Sequence, residues 1–170
     1  MQKEKFITVM AIFDEDTQNC LKSIGEDFEK LYGVDKKTKG IPFHITLGSY
    51  AVEETDEITT RIIDTAKRTR KFKVKFSGLK HFGNVLRYIM PEMNEELMNL
   101  HLCFESDYAN GFHGWKPHVT VYRHSEPKEI ELPKQITDKI EKIKNARIVG
   151  IELGEFFPPK QIIRVFFGED

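Results

Sequence analysis

Two tripeptides of one form, His44-Ile45-Thr46 and His118-Val119-Thr120, stand at matching points of a pattern that the chain runs through twice. Leu21, Ile24 and Phe28 make the apolar stripe of one predicted helix, and 76 positions on Leu97, Leu100 and Phe104 make another. The two histidines lie 74 positions apart, close to the same offset. The order strand, helix, HxT strand, helix, strand therefore occurs twice, which implies two similar lobes related by an approximate two-fold axis. The expected class is α+β: mostly antiparallel sheets, helices on the outer faces and a central cleft.

The elements follow from periodicity and breakers. Phe6 to Phe13 is rich in β-branched and aromatic residues and reads as a strand. A helix follows with Leu21, Ile24, Phe28 and Leu31 on one face, ending before Gly33. A polar loop with Lys36, Lys37, Lys39 and Gly40, read as solvated or as an RNA-backbone contact, leads into the first HxT strand, His44 to Val52. Ile58, Ile62 and Ala66 mark a second helix, and Phe72, Val74 and Phe76 alternate with lysines as a strand with one wet face. The series restarts with a strand at Val85 to Met90, a helix carrying Met93, Leu97, Leu100 and Phe104, and an aromatic loop from Gly111 to Pro117. After the second HxT strand come a helix behind Pro133 with Ile136, Ile140 and Ile143, a strand from about Arg147 to Phe156, and a last strand from Gln161 to Phe167.

At 170 residues, with 39% hydrophobic and 31% charged residues, the chain reads as one globular domain spanning 1–170. A net charge of −1 excludes the broad basic field with which duplex binders gather nucleic acid, so phosphate recognition must be local. Cys20 and Cys103 lack ligand-type spacing and fit reduced thiols. The run Phe6 to Phe13 is too short to span a bilayer and no lipidation motif stands at either end, so the expected location is the cytoplasm, without membrane attachment.

The chemistry rests on alternation along a strand, which points each His and its Thr to the same face. Two histidines facing across a cleft can act as base on one side of a phosphorus and acid on the other. Each Thr can donate to a non-bridging oxygen as charge builds there. No glycine-rich phosphate loop is present, and His113, His118 and His124 lack the acidic or thiol partners of a metal site, so no cofactor is expected.

With both motifs in place, the chain resembles the 2H phosphoesterases, which include the bacterial RNA 2′,3′-cyclic phosphodiesterases also called 2′-5′ RNA ligases. The resemblance runs over essentially the whole length. It rests on Pro42-Phe43-His44-Ile45-Thr46-Leu47, on Lys116-Pro117-His118-Val119-Thr120-Val121, and on a middle segment from Phe76 to Gly83 followed by Val85-Leu86. It implies a bilobal fold, catalysis by His44, Thr46, His118 and Thr120 without metal, and attack of water on a 2′,3′-cyclic phosphate to leave a 2′-phosphate. By the family pattern His118 activates water and His44 protonates the departing 3′ oxygen; the near-symmetric pair leaves that assignment open in the sequence itself. The expected partners are RNA ends or small nucleotides carrying a cyclic phosphate. Alternatives are 2′-5′ ligation at the same site and a binding module without turnover.

Arg123, where the family commonly has a basic residue, is either a phosphate ligand or a solvated strand end. Strict alternation sends Tyr122 toward the cleft with His118 and Thr120 and turns Arg123 away unless the strand bends. Ser49 holds the matching position in the first motif. Trp115, with Phe112 and His113, either stacks on a base or packs between lobes, and Lys116 and Tyr50 are rim candidates for substrate contact. His81, His101 and His124 read as structural or exposed.

Overall fold

The computed structural model describes residues 4–35, 40–106, 115–129, 131–156 and 158–168. Among them the order is β1 (Phe6–Phe13), α1 (Glu15–Tyr32), β2 (His44–Ala51), a 3-10 turn (Val52–Glu54), α2 (Thr55–Arg68), β3 (Phe72–Val74), β4 (Phe76–Phe82) and β5 (Leu86–Pro91), then α3 (Glu95–Leu102), β6 (Val119–Arg123), α4 (Lys134–Glu141), β7 (Ala146–Phe156) and β8 (Lys160–Phe166). Helix starts are set by side chains. Asp14 accepts from the Thr17 amide at 3.0 Å and Asn94 from the Leu97 amide at 2.8 Å, each meeting a donor that the first helical turn leaves free.

One sheet runs β2-β1-β7-β3, with β8 pairing further along β7; the other runs β4-β5-β6. The paired ladders are antiparallel. The duplication expected from the sequence is present as two lobes, with an exchange that the pattern did not predict. The chain leaves the first sheet after Val74 and enters the second at Phe76, so β4 pairs with β5, while β7, from the second half, pairs with β1. Phe72, Val74 and Phe76, read as one strand, are therefore split between sheets at Lys75. Helices exchange in the same way: α1 packs on β6 and α3 on β2. Each lobe is thus tied to both halves of the sequence.

Helices cover only one face of each sheet. Toward that side point Ile7, Val9, Ala11, Ile45 and Leu47 in the first lobe and Ile89, Val119 and Val121 in the second, all essentially buried. Burying such a side chain contributes about 1.5–3 kcal/mol, so the apolar residue between each His and Thr fixes the opposite orientation of its neighbours. Two stripe residues differ from expectation. Leu31 is 46% exposed because Gly33 ends the helix at once, and Met93 is 44% exposed because it precedes the Asn94 cap. Among the described residues no helix is long and apolar enough to cross a membrane.

Candidate active site

His44 opens β2 and His118 immediately precedes β6, the two strands that meet between the lobes. Both imidazoles are held in one manner. Nδ1 of His44 lies 2.7 Å from the carbonyl of Pro42, and Nδ1 of His118 lies 2.8 Å from the carbonyl of Lys116, in each case two residues earlier. A carbonyl only accepts, so the neutral rings carry their proton on Nδ1 and keep a lone pair on Nε2. The edge of Tyr88 meets the His118 ring at 5.4 Å between centroids.

The two rings sense one another. Burial drives His44 from 6.5 down to about 4, against the raising effect of its bond to Pro42, and the charge of His118 lowers it further. His44 keeps some solvent access while its surroundings are protein, as suits the floor of a cleft. At neutral pH its Nε2 is an acceptor.

Each motif is followed by a β-bulge, and the two bulges reorganise the predicted site. In β2 the register passes from Met10–Thr46 to Val9–Gly48, leaving Leu47 extra; in β6 it passes from Tyr88–Thr120 to Arg87–Tyr122, leaving Val121 extra. An extra residue inverts the alternation beyond it. Tyr122, expected in the cleft, instead lies 1% exposed under α1, stacked on Phe28 at 5.2 Å with its hydroxyl donating to the Gly33 carbonyl at 2.7 Å. Tyr50, expected at the rim, likewise turns to the helix side, where Arg61 donates to its hydroxyl at 3.4 Å. The same inversion carries Arg123 and Ser49 onto the face of Thr120 and Thr46. Arg123 is held through its backbone amide, which donates to Asp35 Oδ2 at 3.0 Å, and its Nε is buried with no hydrogen-bond partner among the described residues.

β2 is the edge strand of its sheet, and two aromatic residues meet carbonyls at its bulge. Trp115 Nε1 donates to Thr46 O at 2.9 Å, and His101 Nδ1 lies 2.9 Å from Leu47 O, with the two rings stacked at 3.7 Å and 4°. Trp115 therefore packs with its N–H spent and one face covered by His101, and it ties the segment before His118 to the strand of His44. Gly48 allows this arrangement, since a Cβ there would stand 1.9 Å from the Phe104 carbonyl. Lys116 is exposed, and the part of it that bears on the site is the carbonyl on His118. Phe112, His113 and the Lys36 to Lys39 run lie outside the described residues.

The remaining histidines stand apart. His81 is exposed and pairs across to Arg87, on the face opposite Tyr88. His124 is buried and accepts from Arg87 Nε at 3.2 Å. Among the described residues no group of three or more His, Cys, Asp or Glu could hold a metal ion. Sequence reasoning missed Tyr88, although the 76-residue offset that aligns the helices places it on Ile12, the cross-strand partner of His44.

Comparison with known proteins agrees with this architecture. The family model of the 2′-5′ RNA ligase superfamily matches residues 23–154. Comparison with curated proteins finds no match. Among solved structures, TT0787 of Thermus thermophilus superposes with a TM-score of 0.68 at 13% identity, over 95% of this chain and 97% of that one. LigT of E. coli complexed with phosphate gives 0.60 at 14% identity, over 97% and 99%. The same protein complexed with 3′-AMP gives 0.59 at 12%, over 97% and 99%. At these identities the likeness is one of fold.

Proposed function

Because the chain belongs to the 2′-5′ RNA ligase superfamily, we propose that it is a metal-independent phosphodiesterase that opens 2′,3′-cyclic phosphates of RNA ends or nucleotides to 2′-phosphates. The whole chain acts as one two-lobed domain, and its two free cysteines suit a reducing cytoplasm. The observation that carries the reading is the twin imidazole geometry: each Nδ1 spent on the carbonyl two residues before it, each Nε2 without a hydrogen bond among the described residues, at equivalent points of two lobes.

In this reading the phosphate lies between the rings, with Thr46 and Thr120 donating to its non-bridging oxygens and Arg123 supplying a charge-assisted contact. His118 Nε2 takes a proton from water as the water oxygen bonds to phosphorus. The bond from phosphorus to the 3′ oxygen breaks, and His44 Nε2 hands that oxygen a proton. His44 is neutral in the free protein, so it acquires this proton as the anion binds. The phosphate charge opposes both the burial and the repulsion from His118 that hold the ring down. Exchange with solvent then resets both rings.

Replacing either His44 or His118 by Ala tests this directly. Turnover of a dinucleotide ending in a 2′,3′-cyclic phosphate is expected to fall about 10²–10⁴-fold, with affinity for the 2′-phosphate product retained. A wild-type protein that binds this ligand and never turns it over is a binding module, and the enzymatic reading is then wrong.

A further inference from the structure

The cleft faces of the two sheets are unequal. Beside His44 the floor is closed: its partner Ile12 is 3% exposed, Met10 and Thr8 on the same face are buried as well, and the exposed ring of that row, Phe166, lies three strands away. Beside His118 the floor is open. Across β6, β5 and β4 the residues opposite one another are Thr120, Tyr88 and Lys80 in one row and Arg123, Leu86 and Phe82 in the next. Residues paired in this way share a face, so Tyr88, Lys80 and Phe82 lie on the side of Thr120. Helices α1 and α4 pack on this sheet, and Arg87 and Ile89, on the face opposite Tyr88, are buried.

The rings on this face are contiguous with the site. Tyr88 touches His118 at 5.4 Å between centroids, and Phe82 lies 6.1 Å from Tyr88 with its plane tilted by 41°. Phe82 is 59% exposed, which is unusual for a phenylalanine on a strand with a hydrophobic partner opposite. Its position is fixed. The turn that follows uses positive φ at Gly83 and Asn84, and is fastened by the His124 amide to Val85 O at 2.8 Å and the Lys128 amide to Asn84 O at 2.9 Å. Lys80, exposed one strand beyond Tyr88, puts a cation at the far end of the row.

We infer that Tyr88 and Phe82 form a stacking platform for bases next to the reacting phosphate, and that Lys80 meets the phosphate upstream of it. The substrate class is then single-stranded RNA ends longer than one nucleotide, laid over the second lobe. This rests on the phosphodiesterase reading for the position of the cyclic phosphate. The chemistry is that of single-strand binders generally: exposed rings accept any base, and a nearby cation follows the backbone.

Binding tests it without requiring turnover. The ligand is a dinucleotide ending in a 2′-phosphate, compared with an analogue of the same length whose two riboses both lack a base. Phe82→Ala is expected to weaken binding of the first by about 5- to 100-fold, as alanine substitution does at stacked bases, and to leave the second nearly unchanged. Lys80→Ala is expected to reduce the slope of log affinity against log salt by about 1. Leu102, 55% exposed on α3 outside both cleft-facing rows of strand residues, serves as the control, and Leu102→Ala should bind both ligands as the wild type does. Phe82 and Leu102 are both exposed, so each variant should fold. If Phe82→Ala binds both ligands normally, or if Leu102→Ala loses affinity as Phe82→Ala does, the inference is overturned. A protein whose binding depends on Phe82 while no cyclic phosphate is turned over keeps the platform and loses the phosphodiesterase reading.

Discussion

Replacing His44 by Asn gives a test of the cleft that needs no substrate. Asparagine can still donate to the Pro42 carbonyl but does not titrate. In the wild type, burial and the His118 charge hold His44 at about 4 against 6.5 in the unfolded chain. At 1.36 kcal/mol for each pH unit, the difference amounts to at most about 3 kcal/mol. The sign follows from proton counting. Between pH 6.5 and 4 the unfolded chain binds a proton at this position that the folded chain refuses, so this contribution to stability is intact above 6.5 and is lost as the pH falls toward 4. Urea unfolding of wild type and His44→Asn at pH 7.5 and pH 4.5 should therefore show the wild type losing about 2–3 kcal/mol more than the variant across that interval. His124, held down by burial and by Arg87 and Lys128, titrates in both proteins and cancels in the comparison. Equal losses in the two proteins would mean that His44 is solvated like a surface histidine, and the closed floor described beside it would be refuted.

Three further outcomes follow from the geometry. Gly48→Ala should destabilise the fold by about 3 kcal/mol in urea unfolding, since the Phe104 carbonyl stands where the new methyl must go. Trp115→Phe keeps the stack on His101 but leaves Thr46 O without its donor; it should cost about 1–3 kcal/mol in the same assay and lower kcat more than it raises KM. Treatment with a chelator followed by removal of free metal should leave cyclic-phosphate turnover unchanged, because the proposed protons move only between imidazoles, water and the 3′ oxygen; lost activity restored by a divalent ion would overturn that chemistry.

The sequence carried the architecture well where burial is periodic. The helical stripes around Leu21 and Leu97, the two HxT strands and the leftover C-terminal strand all stand where spacing put them. The exchange of β4 and β7 between lobes was hidden because pairing partners leave no periodic trace. The site was legible up to the threonines and no further. Tyr122 was placed by strict alternation, which holds only while the ladder is regular, and the extra residue at Val121 reversed it; the extra residue at Leu47 likewise turned Tyr50, read as a rim candidate, to the helix side. The bulge at Val121 also put Arg123 on the face of Thr120. The matching position of the two bulges also explains why Ser49 and Arg123 fall at equivalent points: the duplication extends to the irregularities of the strands. Trp115 could be read as either packer or platform from sequence, and the carbonyl it meets, on the edge strand of the first sheet, leaves no periodic trace.

The most direct test of the central claim is the identity of the product. A dinucleotide ending in a 2′,3′-cyclic phosphate, incubated with the wild-type protein and followed by phosphorus NMR, should give a 2′-monophosphate alone, with the rate falling sharply when either His44 or His118 is replaced. A 3′-monophosphate, an unchanged cyclic phosphate, or turnover that persists without both imidazoles would contradict the paired-histidine account.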